Sequence, residues 1–166
     1  RKAAADSMVL LENQDGFLPL KKEEKVAFIG PYGEDKHILG AWSFFGDIDK
    51  AVTCRQGIEE KGAAAVFEKG CGIANPGQTL YGFRYNMTNE DTWEETEALI
   101  EKASRIAADC DKVVLLLGEA PIQTGEGASR GDITIPDVQK KLLDVVTKAN
   151  ENTAAVIFAG RPLDLR

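Results

Sequence analysis

Histidine is nearly missing from this chain: His37 is the only one in 166 residues. A histidine-rich metal site and a Ser-His-Asp triad would both have to rest on it alone. A lone histidine of this kind is more often a loop or surface residue. Cysteine is scarce as well. Cys54, Cys71 and Cys110 form no CxxC pair and match no zinc or redox spacing, so they read as reduced, mostly buried thiols. No apolar run approaches the roughly 20 residues that cross a bilayer. No signal peptide is visible, but the chain opens at Arg1 inside a helical pattern, as an excised piece of a longer protein would. Positive charge is in deficit, with 20 Lys and Arg against 27 Asp and Glu, a net charge of -7. That balance argues against nucleic acid or an anionic membrane surface as a partner. It says little about neutral substrates.

What is present is material for a core. Hydrophobic residues make up 43% of the chain and charged residues 28%, which fits one folded domain over 1–166 and disfavours disorder. Ala4, Met8 and Leu11 recur at helical spacing, predicting a helix over 2–13 that Asn13-Gln14-Asp15-Gly16 ends. Val26–Ile29, Ala64–Phe67, Val113–Leu117 and Ala155–Phe158 are short continuous apolar runs that read as strands. Between them lie predicted helices at 34–40, 54–62, 90–109 and from Pro136, which would sit in the first turn of its helix. The helix at 90–109 carries a stripe of Trp93, Ile100, Ala103 and Ala107, with a capping-box spacing at Thr88 and Asp91. In the last helix, Val138, Leu142, Val145 and Ala149 mark the buried face. Residues 70–90 lack periodicity and read as a long irregular loop with Tyr81, Phe83 and Tyr85 interleaved. Apolar strands alternating with helices predict an α/β fold in three layers. Its doubly wound, mainly parallel sheet would carry helices on both faces, as in flavodoxin-like domains. A doubly wound order sets the first and third strands side by side at the switch point, where ligands bind beyond the strand ends. The loops 30–46 and 118–135 would then face each other.

Of the two, the loop reading Gly-Glu-Ala-Pro-Ile-Gln-Thr-Gly-Glu-Gly-Ala-Ser-Arg-Gly-Asp-Ile-Thr-Ile-Pro over 118–136 has the denser charge. It carries Glu119, Glu126, Arg130 and Asp132. Gly125-Glu126-Gly127 opens like a dinucleotide fingerprint, but the third required glycine falls on Arg130, and no phosphate-loop lysine pattern exists. Acid/base work by a carboxyl group is the other option. Glycoside hydrolysis by retention needs two carboxyls on opposite sides of the scissile bond, about 5–5.5 Å apart. Glu119 and Glu126 share one loop and would approach from the same side, so one of them is at most half of a pair. Glu126 stands between glycines, which lets its side chain project. Glu119 directly follows the strand, where a structural role fits better. Arg130 and Asp132 are near enough in sequence to pair and brace the loop. Solvated loop carboxylates account for the pattern as well as catalysis does. Trp42 and Phe45 on the facing loop admit sugar stacking, with ordinary packing as the alternative.

Several ordered motifs then carry a resemblance. Ala3-Ala4-Ala5-Asp6-Ser7-Met8-Val9-Leu10-Leu11-Glu12-Asn13 with Leu18-Pro19-Leu20 is one. Val26–Pro31 followed by Leu39-Gly40-Ala41-Trp42-Ser43 is another. Gly118-Glu119-Ala120, Glu126, Ala128-Ser129-Arg130, Asp132, Ile135-Pro136 and Gly160-Arg161-Pro162-Leu163 complete the set. Together, almost end to end, the chain resembles the C-terminal α/β-sandwich domain of glycoside hydrolase family 3 β-glucosidases, nearest the bacterial periplasmic type. The resemblance implies a retaining, exo-acting hydrolase of terminal β-linked glucosides or oligosaccharides, with no cofactor or metal. It implies an N-terminal barrel domain in the same parent chain that supplies an aspartate nucleophile. The acid/base position falls on Glu126. Trp42, with Phe45 nearby, matches a loop whose aromatics line the leaving-group subsite in some members.

The copy departs from the family in two ways. Gly125 and Gly127 flank the glutamate, where bacterial relatives often place histidine before it. The chain also stops soon after Arg161-Pro162-Leu163, where the family's domain continues. The segment is thus expected to be incomplete at its C-terminal end, inactive without the barrel, and open along a sheet edge. A non-catalytic ligand- or protein-binding domain fits the same alternation of elements. β-xylosidase and β-N-acetylglucosaminidase activities fit the same family, since the residues that grip the nonreducing sugar belong mostly to the barrel.

Overall fold

In the computed structural model, residues 2–44, 46–82 and 85–166 are described. Among them the four apolar runs become the strands of one parallel sheet: β1 (Val26–Ile29), β2 (Ala65–Glu68), β5 (Lys112–Gly118) and β6 (Thr153–Phe158), in the order β2-β1-β5-β6. The expected α/β fold is therefore the observed one, and the first and third runs, β1 and β5, do lie side by side. Register pairs Val26 with Lys112 and Ile29 with Leu115.

Alternation along the strands splits the core in two. Ala27, Ile29, Val113, Leu115 and Leu117 face α3 (Trp93–Ala108) and α4 (Asp137–Ala149), which contribute Ile100, Ala103, Ala107, Val138, Leu142 and Val146. Val26, Phe28, Val114 and Leu116 face the other way, toward Tyr32, Phe17, Leu20 and the Cys54 and Ile58 side chains of α2 (Cys54–Glu59). The result is three layers. β5 is central and buried from Val113 to Gly118, whereas β6 is an edge strand with Val156 45% exposed. Cys71 lies in the first core, and burial pushes its thiol up to about 12 against the opposing pull of Lys69.

Local structure departs from the sequence pattern at several points. The helix expected over 2–13 survives only as α1 (Lys2–Asp6), and Met8 and Leu11 are each 78% exposed. Their stripe has no surface within the described residues to pack against, and short helices without packing are marginal. No helix forms at 34–40. There the Asp35 carboxylate accepts the His37 backbone N–H at 2.6 Å, a local turn bond that competes with helix. The cap of α3 is Thr92 with Glu95, four residues after the expected Thr88 and Asp91. Thr92 Oγ1 accepts the Glu95 N–H at 3.1 Å while the Glu95 carboxylate accepts the Thr92 N–H at 2.8 Å. Thr96 takes the buried place in the first turn, and Trp93 is half-exposed. In α4, Val146 is fully buried, while Val145 and Ala149 flank the core. Pro136 sits just before that helix rather than inside its first turn.

The largest departure lies in residues 70–90. A two-stranded antiparallel hairpin, β3 (Thr79–Tyr81) with β4 (Asn86–Thr88), occupies part of that stretch. Its strands are too short and too polar to show a period.

One buried side chain fastens these layers at the end of β5. Gln139 of α4 is fully enclosed, and its Oε1 accepts the Gly118 N–H at 2.8 Å. Its Nε2 donates to the carbonyls of Gly118 at 2.9 Å and Ile73 at 2.7 Å. A buried polar group left without a partner costs about 1–3 kcal/mol. Gln139→Ala orphans three at once, so urea unfolding should show a loss of about 3 kcal/mol or more. A loss below about 1 kcal/mol would mean that water or backbone shifts replace those bonds.

Candidate functional site

Leaving β5, the chain places Glu119 inside the protein, with its side chain fully shielded from solvent. A buried carboxylate requires cations and donors around it. Arg130 Nη1 donates to its Oε2 at 2.8 Å, and Arg161 Nε stands 3.4 Å from the same oxygen. The Gly160 N–H donates to Oε1 at 3.2 Å. The arginines continue outward. Arg130 Nη2 donates to the Thr134 carbonyl at 2.9 Å, and Arg161 Nη2 donates to the carbonyls of Gln123 and, at 3.0 Å, Ala128. Tyr32, at the end of β1, donates its hydroxyl to the Glu119 carbonyl and stacks on Phe158 at 4.6 Å. Burial, aided by Asp35 and Glu119, pushes that phenol up, so it stays a donor. One carboxylate thus ties the ends of β5 and β6 to both limbs of the loop.

Gln123 and Ala128 bracket Glu126. The segment between them is a tight turn in which the Ala128 N–H reaches the Gly125 carbonyl at 3.4 Å. Glu126 and Gly127 occupy its corner, and the φ of +72° at Gly127 suits glycine there. Gly125 meets a second demand. A Cβ at that position would lie 2.5 Å from Nε1 of Trp42, so only glycine lets the indole rest on this loop. The two facing loops expected from the strand order therefore touch. Trp42 and Phe44 pack at 5.2 Å between ring centres. Between the loops opens a cavity of about 610 Å³ lined by Trp42, His37, Ile48, Tyr81, Tyr85, Ile122 and Glu126. Glu126 is exposed there, and among the described residues no hydrogen bond or ion pair holds its carboxylate.

The structure thus separates the two glutamates of the loop. Glu119 is enclosed and paired, and Glu126 projects into the cavity beside Trp42. Phe45 falls outside the described residues. Arg130 and Asp132 do not pair with each other. Arg130 turns inward to Glu119, because the buried carboxylate is the stronger demand, and Asp132 accepts the Thr134 N–H at 2.8 Å. That bond, the largest influence on Asp132, holds its carboxyl below the usual range. Nothing in the sequence singles out Arg161 within the Gly160-Arg161-Pro162-Leu163 motif, or joins Tyr32, His37 and the hairpin tyrosines to one site. Among the described residues, no group of three or more His, Cys, Asp or Glu side chains is placed to hold a metal. No helix there is long and apolar enough to cross a membrane.

Residues 8–166 match the model of the glycosyl hydrolase family 3 C-terminal domain. The periplasmic β-glucosidase of Salmonella typhimurium is 32% identical over 170 residues, covering 99% of this chain and 22% of that protein. A β-xylosidase of Formosa agariphila is 28% identical, covering 98% of this chain and 21% of that protein. The crystal structure of the β-glucosidase from Listeria innocua in complex with isofagomine superposes with a TM-score of 0.80 at 28% identity, covering 99% of this chain and 20% of that one. The chain spans about a fifth of the length of these relatives.

The Glu119 cluster makes a direct stability prediction. Removing one partner of a buried ion pair leaves an uncompensated charge and costs about 3–5 kcal/mol. Arg130→Met should lower the unfolding free energy by about 3 kcal/mol in urea, with Arg161 retaining part of the balance. Adding Glu119→Leu to that variant should recover part of the loss. If Arg130→Met costs less than about 1 kcal/mol, the cluster does not hold the loop.

Proposed function

The chain belongs to the glycosyl hydrolase family 3 C-terminal domain family, and on that premise we propose that it supplies the general acid/base carboxyl group, Glu126, to a retaining β-glucosidase. The nucleophile, an aspartate, belongs to a barrel domain elsewhere in the parent chain. The segment alone, holding one of the two carboxyls, is inactive. The observation that carries this reading is the position of Glu126. It stands at a turn beside Trp42, facing a cavity beyond the central strand, with Arg161 gripping the Gln123 and Ala128 carbonyls on either side of that turn.

The chemistry follows from that placement. Glu126 in its acid form donates a proton to the glycosidic oxygen as the bond to the sugar breaks. After the leaving group departs, the same carboxylate takes a proton from the water that attacks the glycosyl-enzyme. Glu119 is not the second carboxyl, since two arginines hold it inside the protein. Trp42 offers an indole face to the leaving group. The arrangement needs no cofactor or metal. Terminal β-linked glucosides are the favoured substrates. The similarity to the Formosa agariphila β-xylosidase supports xylosides as a second substrate class, chosen by sugar-gripping residues outside this segment.

The acid/base role is tested in the full-length parent enzyme. Glu126→Gln should slow hydrolysis of alkyl glucosides and disaccharides by about 10²–10⁴-fold. Aryl glucosides whose leaving groups need no protonation should lose far less in their first step. Azide should partly rescue Glu126→Gly, because it can attack the glycosyl-enzyme without a base. An equal loss on both substrate kinds, with no rescue, would reject the role.

A further inference from the structure

The cavity that holds Glu126 has a wall that neither the sheet nor the Trp42 loop supplies. It comes from the β3–β4 hairpin. Alternation along β3 turns Leu80 inward, 8% exposed, into a small core with Ala74, Ala120 and Ile122. Met87, the register partner of Leu80 on β4, packs on the same cluster. Tyr81, the next residue, is 80% exposed and lines the cavity. The hairpin is fastened closely to the loop. A Cβ at Gly82 would lie 2.8 Å from the Ile122 Cβ. Ile122 belongs to the turn Pro121–Gln123, and Arg161 grips the Gln123 carbonyl. The hairpin therefore stands in a fixed relation to the backbone that carries Glu126. Tyr85 lines the cavity as well, and its ring centre lies 6.0 Å from that of His37 on the Trp42 loop, tilted by 44°.

Folding does not account for Tyr81, because Leu80 and Met87 already anchor the hairpin. The Tyr81 ring stands on the cavity wall with its face open to a ligand that could cover it. The volume of about 610 Å³ falls within the range of about 300–1,000 Å³ that accommodates ligands of several rings. Trp42 touches the Glu126 turn itself, so its indole serves the ring next to the bond being cleaved. The hairpin tyrosines form a separate wall of the same space. We propose that Tyr81 and Tyr85 form a platform for a second ring of the leaving group, a flat ring with an apolar face. The inference rests on the acid/base reading of Glu126, which places the leaving group in this cavity. A further sugar of an oligosaccharide and an extended aryl group both have that chemistry, and the substrates below separate them.

The test compares the full-length parent enzyme with its Tyr81→Ala/Tyr85→Ala and Tyr81→Phe/Tyr85→Phe variants. Substrates are methyl β-glucoside, cellobiose, cellotriose, and phenyl and naphthyl β-glucosides. The alanine pair should lose roughly tenfold in kcat/KM on leaving groups of two rings, mainly through KM. Methyl β-glucoside, whose leaving group carries no ring, should show the smallest fold-change, and far-UV circular dichroism spectra matching wild type report correct folding. The phenylalanine pair should behave as wild type, because the ring face rather than the hydroxyl makes the contact. A loss confined to cellotriose assigns the platform to oligosaccharides, and one confined to the naphthyl glucoside assigns it to aryl groups. Should the alanine pair fold poorly, Tyr81→Ser alone, at a mostly exposed position, gives the same readout. An unchanged or uniform response across substrates in an active, Glu126-dependent enzyme overturns this inference alone. A wild-type enzyme that cleaves none of these glycosides overturns the acid/base reading and this inference with it.

Discussion

The buried carboxylate of Glu119 is the interaction on which the candidate site depends. Two arginines and one backbone amide converge on it where β5 and β6 end. Desolvating a charge is costly, and that cost makes the arrangement selective. The carboxylate tolerates few geometries, so the two guanidinium groups are held, and they in turn hold the carbonyls of Gln123, Ala128 and Thr134. A loop that would otherwise be a long surface excursion becomes an extension of the sheet. Glu126 inherits its position from this network without touching it. The division of labour between two glutamates seven residues apart is thus one of environment. One is spent on structure, and the other stands unpaired at the cavity among the described residues.

Much of this was legible in the sequence, and the parts that were not share a cause. Continuous apolar runs mark buried parallel strands, so the sheet was legible in runs such as Val26–Ile29 and Val113–Leu117, while the neighbouring of β1 and β5 and the meeting of the Trp42 and Glu126 loops followed only once a doubly wound order was assumed. Glycines around Glu126 pointed to a side chain that projects, and Glu126 is exposed at the cavity. Contacts between residues distant in sequence left no such signal. Arg161 reaches Glu119 across about forty residues and Gln139 reaches Ile73 across more, and neither pairing has a period or a motif of its own. Arg130 lies two residues from Asp132 in sequence, yet it answers the deeper carboxylate of Glu119. The hairpin was hidden because three-residue strands are too short to alternate visibly. The helix over 2–13 failed for the opposite reason: its pattern is clear, but Met8 and Leu11 have nothing to pack on among the described residues.

The exposed surfaces agree with a domain that works as part of something larger. Met8, Val9, Leu10 and Leu11 are each exposed by two thirds or more, and β6 leaves Val156 on an open edge. The relatives are about five times as long as this segment. On the proposed reading, the rest of the parent chain brings the nucleophile and the grip on the nonreducing sugar. On the same reading, this segment brings the proton and the aromatic walls that would receive the leaving group. On that reading, catalysis depends on how two domains meet.

The central claim is that Glu126 is the acid of a two-carboxylate site whose other member is not Glu119. The most direct measurement is the pH dependence of kcat/KM for the full-length parent enzyme and its Glu126→Gln variant on a substrate that needs leaving-group protonation. Wild type should give a bell, and the variant should lose the alkaline limb, which reports deprotonation of the acid, while keeping the acidic limb set by the nucleophile. A variant profile that keeps both limbs would contradict the assignment.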